Sequence, residues 1–424
     1  MLSRIIVLTL ATLVILALLS VIPVALAVSA PISARPLTNT HFERTGARKE
    51  RGKYLTEGLL QCFVCHSERD WTKPGAPPIP ALKGAGLLFH NEPGYILAAP
   101  NITPDVQTGA GSWTDDMFAR AIREGVGHDG RALHPLMWYD SFVFLTDEDL
   151  ASVVLYLRSI PAIHHSMPHR VLPAKVEAMI SNNPRSLTKE IPPPDASTPA
   201  GRGEYLVAVA DCIGCHTAWE APSDPGFFGG GNLIEREKHS AFSANLTQDP
   251  SGIPYYTPEF FAEVIRTGSA KARKLSPIMP WIVFKNLNDQ DLNAIFACLL
   301  DVSPVHHTVT NDEPPTQCVA CGQKHGGGER NRKKEVIPVK VDASIYAVYA
   351  GEYRYPWGDT VTISTQTGHL FLESGSDKIE ILPLSSTKFD AAGLPGAIDF
   401  VRDKTGKVLY ISEHTPYGKA IKVK

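Results

Sequence analysis

Arg51-Gly-Lys-Tyr-Leu55 runs into Cys62-Phe-Val-Cys65-His66, and Arg202-Gly-Glu-Tyr-Leu206 runs into Cys212-Ile-Gly-Cys215-His216. The likeness extends downstream in both directions of chemistry and spacing. Asn101-Ile-Thr-Pro-Asp105 matches Asn245-Leu-Thr-Gln-Asp249, and Phe118-Ala-Arg-Ala-Ile-Arg123 matches Phe261-Ala-Glu-Val-Ile-Arg266. Each copy reaches a methionine, in Leu133-His-Pro-Leu-Met137-Trp138 and in Leu275-Ser-Pro-Ile-Met279-Pro-Trp281. Each then closes on Leu145-Thr-Asp-Glu-Asp-Leu150 or Leu287-Asn-Asp-Gln-Asp-Leu292. A chain that repeats itself at this level is built from two copies of one unit.

Two thiols three residues apart with a histidine directly after them are the spacing of covalent haem attachment: the thiols add to the two vinyl groups and the histidine meets the iron. With 7 cysteines and 15 histidines in 424 residues, one such match arises by chance roughly once in two hundred and fifty chains, and two far less often. Zinc would need four ligands, and the repeats supply no further Cys or His at matched places. Two covalent haem c groups are therefore expected, on Cys62/Cys65 and Cys212/Cys215. His66 and His216 are the axial iron ligands on one side, and Met137 and Met279, at equivalent places in a chain with few methionines, on the other. His128 and His134 lack counterparts in the second copy and are read as surface or propionate-side residues. Histidine plus methionine fills both axial positions and raises the potential, which suits electron transfer over chemistry at the iron.

The helices expected from capping residues and apolar period span about 48–62, 114–124, 146–158, 200–212, 257–267 and 288–300. Pro184 to Pro199, with Ile191-Pro-Pro-Pro-Asp195, reads as a linker. After Val305 the texture changes, and from Ile337 onward short alternating runs, such as Thr360-Val-Thr-Ile-Ser and Val408-Leu-Tyr-Ile, mark a small antiparallel β domain, barrel or sandwich. The expected organisation is a leader at 1–30, a first unit at 45–185, a linker at 186–199, a second unit at 200–308, a CxxC segment at 309–336 and a β domain at 337–424. The fold class is mainly α, two tandem cytochrome c domains plus the all-β domain.

Ile5 to Val28 is uncharged, apolar and long enough for a bilayer core. An uncleaved membrane anchor is favoured over a signal peptide cut after Ala25-Leu-Ala27, and covalent haem attachment puts the remainder on the periplasmic side of a bacterial inner membrane, although the following Arg and Lys residues run against the positive-inside rule. Nucleic acid is excluded as a partner: a formal net charge of −3 offers no basic field for phosphates.

The third cysteine pair, Cys318-Val-Ala-Cys321, is followed by Gly322, so no adjacent histidine is available. A disulfide, or a zinc site with His325 and His306 or His307, is expected there. Cys298 sits in an apolar helix and reads as a small buried hydrophobe.

Over residues 45 to 308 the tandem units, with RGxYL before CxxCH, the N-[IL]-T-x-D segment and a methionine before a D-x-D-L helix, resemble the cytochrome c subunits of membrane-bound periplasmic dehydrogenases for alcohols, aldehydes and gluconate. The resemblance implies a non-catalytic subunit that passes electrons from a dehydrogenase partner to a quinone or an oxidase. Three haems are common in that family, and the third motif departs from it here. The tail, with Tyr349-Ala-Gly-Glu-Tyr353 and Ile398-Asp-Phe-Val-Arg402, resembles the small β domain appended to some β-lactamase-like hydrolases, without a catalytic motif. A two-haem peroxidase-type enzyme and a haem-based redox sensor or binding protein are the alternative functions.

Overall fold

Each unit opens and closes on a helix whose first turn is capped by a side chain. Thr45 accepts from the Arg48 N–H ahead of helix Gly46–Gly58, and Thr198 from Gly201 ahead of Pro199–Val209. Thr146 caps Asp147–Leu157 and Asn288 caps Asp289–Asp301. Between them lie Asp115–Glu124 and Pro258–Thr267, capped by Thr114 and Thr257. A cap hydroxyl or amide satisfies one of the N–H groups that the helix start leaves open. All six expected helices are present in these positions.

The computed structural model describes residues 34–181, 184, 186–187, 191, 194–218, 226–236, 239–271, 273–309, 316–317, 324–325, 338–355, 360–374, 377–391, 397–412 and 419–424. The expected N-terminal anchor, with most of the CxxC segment, lies outside the described residues. No described helix is long and apolar enough to cross a membrane.

In both units the opening and closing helices cross at a glycine. A Cβ on Gly52 would stand 1.9 Å from the Ser152 carbonyl oxygen, and one on Gly203 would stand 2.0 Å from that of Ala294. The repeated Gly therefore marks backbone contact between two helices, where any side chain would overlap. The same positions are 2.8 Å from Tyr156 Cβ and Cys298 Cβ, so Cys298 takes the place of Tyr156, buried in the core as the sequence suggested.

The two units pack on each other about an approximate twofold relation. Arg51 makes a two-pronged pair with Asp149 at 2.8 Å, and the Tyr205 hydroxyl of the other unit donates to the same carboxylate at 2.6 Å. Reciprocally, Arg202 binds Asp291 at 2.5 Å and the Tyr54 hydroxyl donates to it at 2.6 Å. Side chains of both units form one continuous apolar core, including Leu55, Leu59 and Val154 of the first with Leu206, Phe228 and Phe296 of the second.

Beyond the units, eight antiparallel strands close into a barrel. Four contain the alternating runs seen in the sequence: Thr360–Gln366, His369–Ser374, Asp377–Pro383 and Val408–Ser412. The others are Gly351–Arg354, Lys388–Ala391, Ala397–Arg402 and Lys419–Lys422. Gly351–Arg354 pairs with Thr360–Gln366 on one side and with Lys419–Lys422 on the other, which closes the ring and leaves no free edge. Inward side chains, among them Tyr353, Ile363, Leu370, Phe389, Ile398, Phe400 and Ile411, fill the interior as a second, separate core.

The expectation of a mainly α chain is wrong. Helix is the minority state among the described residues, since the tail is entirely strand apart from one short helical approach and the two units carry hairpins of their own, at Leu87–Glu92 with Tyr95–Ala99 and at Leu233–Arg236 with His239–Phe242. Loops and hairpins wrap the space that a helical bundle would fill with side chains. A helix at Ala174–Ser181 was also unanticipated.

Replacing Tyr54 or Tyr205 by Phe removes a bond to a buried ionised carboxylate. Each change is expected to lower unfolding free energy by about 1.5–3 kcal/mol, seen as a lower denaturant midpoint with an unchanged slope. An unaltered midpoint in both variants would show that the reciprocal bonds contribute nothing to stability.

Candidate cofactor site

A residue in the left-handed region turns the chain into each cysteine motif, Gln61 at φ 56° and Asp211 at φ 54°. Each turn delivers a short helix, Cys62–Cys65 or Cys212–His216, so that both thiols and the histidine issue from a single turn of backbone. All four of these cysteines are free thiols in the structure. Burial pushes the Cys62 and Cys215 thiols up to about 12 and raises those of Cys65 and Cys212. Burial thus favours the neutral thiol at all four positions.

His66 Nδ1 lies 2.8 Å from the Pro100 carbonyl oxygen, and His216 Nδ1 lies 2.7 Å from that of Ala244. A carbonyl only accepts, so Nδ1 carries the hydrogen in both rings and Nε2 presents a lone pair, the tautomer an iron ligand requires. Burial lowers the pKa of both imidazoles, with the carbonyl bond opposing it. Neutral rings result.

The shell behind the histidines repeats atom for atom. Asn101 Nδ2 donates to the Ile163 and His165 carbonyls while its Oδ1 accepts from Thr103 N–H and hydroxyl. Asn245 does the same with Val305, His307 and Thr247. His165 Nδ1 meets the Ala85 carbonyl at 3.0 Å and His307 Nδ1 meets that of Gly229 at 2.7 Å. Gly86 and Gly230 N–H donate back to the His66 and His216 carbonyls. The N-[IL]-T-x-D segment is thus a clasp that ties the loop after each histidine to the end of its unit. The repeat revealed that segment, but its role is legible only in three dimensions.

Cys62, Cys65, His66 and Met137 share the wall of one cavity of about 480 Å³, with Phe89 and Trp113. That is the scale of a cofactor pocket. The structure therefore brings the four candidate groups of the first copy together. Met137 sits at the end of a 3₁₀ turn whose N–H donates to His134 O, and Met279 ends the same kind of turn on Ser276 O. Both methionines are partly buried against the common core. Two residues on from Met279, the buried Trp281 Nε1 has no protein acceptor among the described residues, a donor suited to a carboxylate carried by a bound group. Neutral histidine, protonated thiols, a thioether and a spare buried donor fit haem c.

His128 and His134 also border the first cavity. His128 is exposed and stacks on Trp113 with centroids 4.6 Å apart, whereas His134 Nδ1 accepts from the Leu136 N–H within the methionine turn. Cys318 and Cys321 lie outside the described residues, as does the side chain of His325. His306 and His307, considered above for zinc, are engaged at the second site instead: His306 pairs with Asp249 at 3.1 Å, as His164 does with Asp105 at 3.5 Å. The doublet His164-His165, repeated as His306-His307, was the missed signal. Among the described residues no group of three or more Cys, His, Asp or Glu is poised to hold a metal ion.

The chain is similar to the fructose dehydrogenase cytochrome subunit of Gluconobacter japonicus, 28% identical over 64% of this chain and 56% of the relative. It is similar to the alcohol dehydrogenase (quinone) cytochrome c subunit of Gluconacetobacter polyoxogenes, 27% identical over 63% and 57%. A shorter match, 31% identical over 40% of the chain and 37% of the relative, is to the gluconate 2-dehydrogenase cytochrome c subunit of Pantoea cypripedii. The chain spans about half the length, or less, of these curated relatives. No protein-family model matches it. The resemblance to dehydrogenase cytochrome subunits drawn from the motifs is borne out.

Asn101→Ala and Asn245→Ala each strand two carbonyls and two donors inside the clasp, and each should cost about 4 kcal/mol or more, at about 1–3 kcal/mol for each buried group left unpaired. Thermal unfolding followed by circular dichroism would reveal it. Wild-type stability in both variants would refute the role given to the clasp.

Proposed function

We propose that this protein is a two-haem c-type cytochrome that relays electrons, one at a time, from a dehydrogenase partner to a quinone or an oxidase on the periplasmic side of a bacterial inner membrane. The observation that carries the reading is the twofold recurrence of one constellation, a buried neutral histidine with its Nδ1 hydrogen spent on a carbonyl directly after two thiols, which in the first copy shares a cavity with Met137. The similarity to cytochrome subunits of fructose, alcohol and gluconate dehydrogenases supports the class of partner. Cytochrome units at 45–185 and 200–308, joined by 186–199 and followed by the β domain at 337–424, make up the proposed organisation. The N-terminal apolar run provides the anchor.

In this reading Cys62, Cys65, Cys212 and Cys215 hold the two haems through thioether bonds, and His66 with Met137, and His216 with Met279, are the axial ligands. Haem c supplies an iron that accepts and releases a single electron without breaking a bond. The protein's part is to keep that exchange cheap in reorganisation. Pro100 and Ala244 fix the histidine rings, and the clasps of Asn101 and Asn245 fix the loops that carry those carbonyls. Phe89, Leu97, Trp113 and Phe142 give the first cavity an apolar wall beside Cys62, His66 and Met137. With both axial positions occupied by side chains, no open coordination site favours turnover of a substrate, and the chain is read as a carrier rather than an enzyme.

Expression in a host with c-type maturation machinery, followed by pyridine haemochrome assay and denatured mass, should give two covalent haems per chain. The double change Cys62→Ala/Cys65→Ala should leave one. Met137→Ala and Met279→Ala should each lower a single midpoint potential, since loss of the thioether removes the ligand that raises it. A chain carrying no covalent haem would end this reading, and potentials that ignore both methionines would end the ligand assignment.

A further inference from the structure

The residues that precede the two cysteine motifs touch each other. Gln61, next to Cys62, donates Nε2 to the Ala210 carbonyl at 2.9 Å. Asp211, next to Cys212, accepts from the Ser141 hydroxyl of the first unit at 2.7 Å. The two attachment helices thus meet across the interface between units, and the charges buried at that junction act on both cofactor positions.

Those charges are not symmetric. On the side of the first motif stands Arg69, three residues after His66 and 6% exposed. Its guanidinium donates to three carbonyls, of Ala76, Gly75 and, across the interface, Pro277 in the turn that carries Met279, so its charge faces both sites and does not distinguish them. Arg236, from the second unit, lies 4.4 Å over the ring of Phe89, which lines the first cavity. Both cations bear on Cys65, and more strongly there than Asp211 does. Burial and the neighbouring Arg236 bring Arg69 down to about 10, so it remains charged at neutral pH.

On the side of the second motif stands Asp211. Its carboxylate folds over its own attachment helix, since a Cβ on Gly214 would fall 2.4 Å from Oδ2. The corresponding positions in the first copy are Gln61 and Val64, neutral side chains. Asp211 is the leading charge acting on Cys212 and Cys215. Burial, with exposed Asp140 nearby, raises its carboxyl to about 6, against the bonds from Ser141 and the Gly214 N–H. It is ionised above neutrality. Lys271, over Tyr255 and Phe260 in the second unit, is exposed and therefore screened. Arg131 and Arg170 at the first cavity are offset by Asp129 and Glu177.

We propose that this polarised junction orders the relay: Arg236, over the Phe89 wall of the first cavity, makes the His66 site the higher-potential one, Asp211 makes the His216 site the lower, and electrons run from the second unit to the first. The inference rests on the two-haem reading above. Oxidation adds one positive charge to a haem, so a nearby anion favours the ferric form and nearby cations the ferrous form. In the transfer, the iron held by His216 goes from ferrous to ferric while the iron held by His66 goes from ferric to ferrous, with no proton or bond exchanged. The dehydrogenase cofactor refills the second site, and the respiratory acceptor empties the first.

The test is an optical redox titration of the mature full-length protein at pH 7.5, after haem content has been measured. Two resolved steps are expected, with Met137→Ala displacing the upper one and Met279→Ala the lower. Asp211→Asn should raise the lower step and narrow the gap, and Arg236→Met should lower the upper step. If Asp211→Asn fails to mature, the methionine assignments and Arg236→Met decide alone. A single unresolved step, displacement of the lower step by Met137→Ala, or a gap widened by Asp211→Asn overturns the proposal. Absence of covalent haem would instead sink the electron-carrier reading, and the haem assay separates the two failures before any potential is read.

Discussion

Asp149 and Asp291 are carboxylates at the start of the closing helices, and both are buried. Stripping an ionised carboxylate of water costs several kcal/mol unless its partners replace the lost solvation. Each finds an arginine in its own unit and a tyrosine hydroxyl in the other. Neither unit alone can complete the coordination of its own aspartate. The units are therefore locked in one relative orientation by the same groups that close their helices, and the position of the two attachment motifs, back to back through Gln61 and Asp211, follows from that lock.

What repeats and what does not divides by role. Backbone crossings at Gly52 and Gly203, the asparagine clasps, and the histidine-to-carbonyl bonds repeat with near-identical distances, because they position the candidate ligands and either copy needs them equally. Departures cluster at the junction and beside the methionines: Gln61 against Asp211, Val64 against Gly214, Tyr139 against Trp281. A scaffold fixed by symmetry leaves such positions free to differ in charge. Electrostatic tuning needs only one or two buried groups, since a charge in a low-dielectric interior acts at full strength on its neighbours.

The legible parts were those encoded locally. Six helices announced themselves by a capping Thr or Asn and an apolar period, and four barrel strands by strict alternation. The two CxxCH motifs and the paired methionines stood out by repetition. One expectation failed, because closure is not a local property. Strands such as Lys388–Ala391 and Lys419–Lys422 are too short to alternate visibly, yet the barrel cannot close without them, and counting them makes the mainly α description untenable. His306 and His307 were weighed as zinc ligands from proximity in sequence to Cys318, whereas packing draws them back to Asp249 and Gly229. Tyr54 and Tyr205 looked like parts of a repeated motif, and nothing in the order of residues says that each serves the other copy.

The barrel bears on how the chain reaches this state. Its core is separate from that of the paired units, and its eight strands satisfy their backbone groups among themselves, the first strand pairing with the last. It can complete itself without any cofactor. The paired units are built differently, with loops that enclose a cofactor-sized cavity in the first copy. Lys388 Nζ donates to the Ser303 hydroxyl at 3.0 Å across the boundary between the two parts. A self-sufficient barrel beside units built around such a cavity means that folding of the tail need not wait for haem attachment.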